Sequence, residues 1–160
     1  MFRCYWLLLV LLTGCAQTPD SSLTAKSPLT TQAPHKNEAT VSQTLLSQHQ
    51  QWQGVPHRWG GEDRRGLDCS ALVQLTYAQH FALALPRTTA GQALVGQAIP
   101  RQQVQAGDLV FFKTGPSQRH VGMMVDQQRF LHVSSSKGVI LSQLDNPYWR
   151  RHYWQMRRVL

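Results

Sequence analysis

Cys69 stands between Asp68 and Ser70, and the chain holds seven histidines that could take its proton. The thiolate is the reactive form of cysteine, and a helix start or a neighbouring base makes it easier to form. Asp68 reads as an N-cap, with Leu72, Leu75 and Ala78 or Gln79 on the turns that follow and an end near His80. Cys69 then lies in the first helical turn, where unpaired amides and the helix dipole favour an anion. An acidic, reachable thiol is therefore expected, not a packed one. Its base is sought among His35, His49, His57, His80, His120, His132 and His152, of which only His120 and His132 lie in strand-like sequence with apolar neighbours on both sides. His35 falls in a polar stretch, and His49, His80 and His152 read as solvated or helix-end residues.

The elements that must hold these groups change character along the chain. Thr40 or Ser42 is expected to cap a first helix with Val41, Leu45, Leu46 and Trp52 on one side, stopped by Gly54. Gly60-Gly61 implies a tight or closely approached backbone. Pro86 and Thr88 precede a short third helix running to Leu94, and Gln105-Ala106-Gly107-Asp108 reads as a turn. Strand-like runs follow at Leu109–Phe112, His120–Val125, Phe130–Val133 and Val139–Leu141. Helices followed by strands predict an α+β domain over residues 40–160. His120 and His132 share even numbers, so they share a face of a hairpin only if its loop holds an odd number of residues or a bulge resets the phase. An odd loop near Asp126–Arg129 is predicted, with both rings turned toward the start of the Cys69 helix and His120 nearer the sulfur.

The amino terminus is a separate matter. Arg3 and an apolar run from Tyr5 to Leu12 read as a secretory leader, the run being too short to span a bilayer, which takes roughly 20 residues. Leu12-Thr13-Gly14-Cys15 resembles the bacterial lipobox, which implies removal of residues 1–14 and lipidation of Cys15. With no aspartate after that cysteine, the resemblance implies the outer membrane of a Gram-negative cell, facing the periplasm. Residues 15–39 are mostly Ser, Thr, Gln, Pro and Ala and read as a tether. Cys4 leaves with the leader, so Cys69 is the lone thiol of the domain, which in an oxidising compartment asks for a reason. The net charge of +8 favours polyanions, here the cell wall and lipid headgroups, and no nucleic-acid-binding signature is present.

Asp68-Cys69-Ser70, Leu85-Pro86-Arg87-Thr88-Thr89, Gly107 to Phe112, His120-Val121-Gly122 and Phe130-Leu131-His132 occur in the order found in the NlpC family of cell-wall cysteine peptidases. Asp145 to Trp149 and Arg157-Arg158-Val159 extend the resemblance over nearly all of the domain. The resemblance implies a papain-like fold and hydrolysis of an amide bond in peptidoglycan stem peptides, with Cys69 as nucleophile, His120 as base and His132 orienting the base. Relatives carry a tyrosine where this chain has His57, an imidazole whose charge varies near neutral pH. His57, Asp68 and Ser70 are the expected substrate or oxyanion contacts. Ala71 and Val133 replace smaller residues common in relatives.

The D-glutamyl–diamino acid (D,L) bond is the expected target, with a D,D cross-link as the alternative since related enzymes differ on this point, and a monomer without cofactor is expected. Two rivals compete with it. A zinc hydrolase could use Cys69, His120 and His132 as ligands, although the chain lacks the usual paired ligand spacings. A wall-binding lipoprotein could keep the fold with little turnover.

Overall fold

The structure, a computed structural model, describes residues 38–160; the leader 1–14, Cys15 and the tether to residue 37 lie outside the described residues. Helix α1 (Glu38–Trp52) buries Val41, Leu45, Gln48 and Trp52. It is already helical at Glu38, so Thr40 and Ser42 sit inside it and do not cap it, and Glu38 and Ala39 belong to the helix, not to the tether. Gln48 occupies the buried stripe in place of the expected Leu46. Its amide donates to the Thr76 hydroxyl at 3.1 Å and its carbonyl lies 3.0 Å from His80 Nε2. A polar residue can be buried there because its partners are.

A two-residue hairpin, β1 (Glu62–Asp63) with β2 (Gly66–Leu67), leads into α2 (Cys69–Phe81) and α3 (Thr89–Gln92). Strands β3 (Gln97–Ile99), β4 (Leu109–Lys113), β5 (Arg119–Met124), β6 (Arg129–Ser134) and β7 (Gly138–Gln143) follow, then α4 (Pro147–His152) and β8 (Tyr153–Arg158). The six longer strands form one antiparallel sheet in the order β3-β8-β4-β5-β6-β7. The four expected strands are there. Strands β3 and β8 were not expected: β8 is half-buried along nearly its whole length and so shows no alternation of apolar and polar residues.

Strand parity sorts the interior into two halves. Leu109, Phe111, Val121, Met123, Leu131 and Val133 face α1 and α2, packing against Val41, Leu45, Leu72 and Tyr77. Val110, Phe112, Met124, Phe130 and Met156 face the other way, under Trp149 and Tyr153. Helix α2 buries Cys69, Leu72, Val73, Thr76 and Tyr77, with Ala78 and Gln79 exposed, so its inward stripe is rotated from the one read off the sequence. The buried Tyr77 hydroxyl donates to the Gly107 carbonyl and ties α2 to the turn before β4. No helix among the described residues is long and apolar enough to cross a membrane.

Candidate active site

The start of α2 is built on Asp68. Its Oδ1 accepts from the Ala71 amide at 2.8 Å, the Ser70 hydroxyl at 3.0 Å and Arg87 at 2.9 Å. Its Oδ2 accepts from Arg87 at 2.8 Å and the Gly60 amide at 3.1 Å. Burial alone would push this carboxyl up, but Arg87, the Ala71 amide and the Ser70 hydroxyl together hold it below the ordinary carboxylate value. Arg87 also reaches Glu62 at 2.6 Å. Gly61 passes close by: a Cβ there would lie 2.2 Å from the Gly66 carbonyl oxygen, which only glycine avoids. Asp68 and Ser70 are thus turned into the body of the protein and do not line the cleft described below. This corrects their expected contact with substrate, since every oxygen of Asp68 is committed to fixing the helix start.

Cys69 is 8% exposed, with its sulfur 3.6 Å from the Thr89 hydroxyl. Burial pushes the thiol up and the neighbouring Asp68 charge adds to this, while Thr89 and the amides of Val121 and Ser70 pull it back. The outcome is a thiol above its ordinary value, opposite to the acidic thiol expected from its place on the helix. The main reason is burial of the sulfur; the capping carboxylate, which takes up the Ala71 amide and stands beside it, adds a smaller push in the same direction. The Val121 contact nevertheless fixes the sulfur next to the residue that follows His120.

Strands β5 and β6 pair Met123 with Leu131 and Met124 with Phe130, and the Val125 amide donates to the Arg129 carbonyl. Asp126, Gln127 and Gln128 are left as an odd-numbered loop, so His120 and His132 fall on one face, as the parity argument required. His120 Nε2 and His132 Nδ1 are 2.9 Å apart with the rings perpendicular, and His132 Nε2 is 2.8 Å from Ser142 Oγ. Their face is the one with Phe112, Phe130 and Trp149, whereas the body of α2 packs on the opposite face. Cys69 and the two histidines nevertheless line one cleft, and the β5–β6 ladder stops at Met123 and Leu131. Gly122 lies at this junction, where a Cβ would be 2.6 Å from the Phe130 ring and 3.3 Å from His132 Cβ.

Both imidazoles favour the neutral form. Burial, aided by the nearby His57, pulls His120 down to about 4, and burial with His120 as neighbour lowers His132 further below its ordinary value. Trp149, positioned by α4 whose N-cap is Asn146, stacks on His120 at 5.3 Å and meets His132 edge-on at 5.0 Å. Sequence reasoning assigned no role to Trp149 or Ser142. Trp149 falls in one of the motif blocks, but Ser142 becomes visible only once the β6–β7 register is known.

Cys69, His57, Trp59, His120, His132 and Trp149 line a cleft of about 650 Å³, of the size that takes a small ligand or a peptide. Arg119 and Lys137 are on its wall and no aspartate or glutamate is. His57 is half-buried and lies edge-on to the exposed Trp59 at 5.2 Å. His132 has both ring nitrogens engaged by His120 and Ser142, so it offers no free nitrogen to a zinc ion in this arrangement. No metal-binding group of His, Cys, Asp and Glu occurs among the described residues.

The sequence profile of the NlpC/P60 family matches residues 54–158, the segment that carries every group described above. The chain belongs to the NlpC/P60 family. It is 48% identical over 122 residues to the "Probable endopeptidase NlpC" of Escherichia coli strain K12, covering 75% of this chain and 79% of that protein. It is 42% identical over 120 residues to the "Murein DD-endopeptidase MepS/Murein LD-carboxypeptidase" of the same strain, covering 75% of this chain and 64% of that one. Among solved structures it resembles a Staphylococcus aureus protein "similar to lipoprotein, NLP/P60 family", with a TM-score of 0.67 and 30% identity, over 76% of this chain and 42% of that chain. The NlpC/P60 fold accounts for the helices set against an antiparallel sheet, the α+β papain-like architecture expected from the sequence.

Proposed function

We propose that this NlpC/P60 protein is a peptidoglycan endopeptidase, in which Cys69 attacks an amide carbonyl of a stem peptide with His120 as base and His132 as the group that orients the base. The observation that carries the reading is the meeting, in one cleft, of a lone helix-start thiol with a hydrogen-bonded pair of neutral imidazoles. Because His120 Nε2 is engaged by His132, Nδ1 is the nitrogen left for the thiol. Thiol and base are both neutral at rest, so the proton moves from sulfur to His120 as the sulfur–carbon bond forms. The resulting imidazolium protonates the leaving amine, and His120 then takes a proton from the water that hydrolyses the thioester. The Cys69 amide and His57 supply hydrogen bonds to the developing oxyanion. A cleft with cationic and no acidic residues on its wall suits the free carboxylates of stem peptides.

The D,L bond is the reading carried from the sequence, while the name of the 42% identical relative favours a D,D cross-link. Mass spectrometry of muropeptides treated with the purified chain separates them: D,D cleavage turns cross-linked dimers into monomers, and D,L cleavage leaves muropeptides ending in D-glutamate. Products absent with the native chain and with Cys69→Ala alike, while binding to peptidoglycan persists, would leave the wall-binding reading in place. For the segments outside the described residues the reading is export by residues 1–14, a lipid on Cys15, and a tether running to residue 37 that holds a monomeric domain at the periplasmic face of the outer membrane. Globomycin-sensitive processing and loss of membrane fractionation in Cys15→Ser are the expected results.

A further inference from the structure

We infer that Ser142 is a positioning residue that sets the tautomer of His132 and, through it, leaves His120 with a free lone pair at Nδ1. The inference rests on the peptidase reading above. A neutral imidazole donates from one nitrogen and accepts at the other. The 2.9 Å contact between His120 Nε2 and His132 Nδ1 holds a single hydrogen. If His132 supplies it, the hydrogen of His120 sits on Nδ1 and the ring cannot take a proton from the thiol. If His120 supplies it, Nδ1 is free to act as base.

The choice is made at the other end of His132. For the productive arrangement His132 keeps its hydrogen on Nε2 and donates it to Ser142 Oγ, 2.8 Å away. A hydroxyl accepts in this way when its own hydrogen goes elsewhere. Among the described residues His132 is the one side-chain partner of Ser142, and Ser142 is half-buried on the wall of the cleft. Its hydrogen is therefore available to water or to a substrate carbonyl in the cleft. A carbonyl that accepts from Ser142 biases the whole chain of hydrogen bonds toward the productive tautomer, which links occupancy of the cleft to activation of the base. The geometry is fixed on both sides: Ser142 sits opposite Phe130 in the β6–β7 ladder, and the Phe130 ring lies against His132 at 4.8 Å with an interplanar angle of 30°.

The test is imidazole nitrogen NMR on the 15N-labelled full chain, run beside steady-state kinetics on a purified peptidoglycan peptide. In the native chain His132 is expected to be protonated at Nε2 and His120 at Nε2. Ser142→Ala moves the His132 hydrogen toward Nδ1 and lowers kcat roughly tenfold, the size expected for one lost hydrogen bond behind a working imidazole. Ser142→Thr keeps a hydroxyl and restores the tautomer and the rate. A His132 tautomer unchanged in Ser142→Ala overturns the inference whatever the rate. A native chain that cleaves no peptide overturns the peptidase reading instead, and the spectra still report on Ser142.

Discussion

Beneath the start of α2 the interacting polar groups are charged, whereas His120, His132 and Ser142 on β5, β6 and β7 are neutral. Asp68 is kept ionised by Arg87 and by the amides it caps, and its five hydrogen bonds leave it no freedom. His120, His132 and Ser142 are strung on short hydrogen bonds with no counter-charge, under the cover of Trp149 and Phe130. Charge serves to hold a backbone in place, since a paired carboxylate is costly to move. In the proposed mechanism neutrality serves proton transfer, since a base already carrying a proton cannot accept one. Cys69 lies where the two meet: burial, with a smaller push from the carboxylate behind it, keeps its proton on, and in the proposed mechanism His120 is the base that removes it.

The sharpest way to break this division is at the sulfur. Cys69→Ala should reduce peptide hydrolysis by roughly 1,000-fold or more, the loss seen when a nucleophile is removed, and leave the melting temperature close to that of the native chain. Unfolding of that variant at low temperature would show that the thiol is part of the packing instead.

On the charged side, Arg87→Met leaves the Asp68 carboxylate buried with fewer partners. Breaking a buried pair costs several kcal/mol, but the Arg87 side chain is 30% exposed, so about 1–3 kcal/mol of stability should be lost in urea denaturation. On the neutral side, Gly122→Ala forces a methyl against the Phe130 ring beside His132. Overpacking of this kind costs about 1–3 kcal/mol, and the rate should fall with it because His132 is pushed from His120.

The smallest effects are those of pH. An unfolded histidine binds its proton near 6.5, while His120 in the folded chain stays neutral down to about 4. Between those values the unfolded state takes up protons that the folded state refuses, so the His120 contribution to stability falls as the pH drops from 6.5 toward 4, while His132 and Asp68, also held below their ordinary values, extend the loss to lower pH. The acid limb of kcat/KM should lie nearer 4 than 6.5. On the alkaline side, alkylation of Cys69 should rise with a midpoint above that of a free thiol, since its folded value is raised. An alkylation midpoint near neutrality would mean that the helix start governs the thiol and burial does not.

Much of the site was legible because its signals are local. The Asp68 cap, the position of Cys69 on the first turn, the short helix after Pro86 and Thr88 and the need for an odd loop between the histidines each follow from a few adjacent residues. The inward stripe of α2 was not legible, since its residues are apolar or small nearly all round and the sheet decides which side is covered. Gln48 is buried only because Thr76 and His80, far along the chain, satisfy its amide.

By itself, then, the sequence determined the resemblance to the family, through its ordered motif blocks, and the helix cap, turns and central strands that carry Cys69, His120 and His132, because caps, turns and alternation act over a few residues. Tertiary structure decided what those groups are worth. It brought Ser142 and Trp149 to the histidines, turned Asp68 and Ser70 away from the cleft, and reversed the expected direction of the Cys69 pKa. Burial and through-space charge depend on residues tens of positions apart, and no local pattern in the chain encodes that neighbourhood.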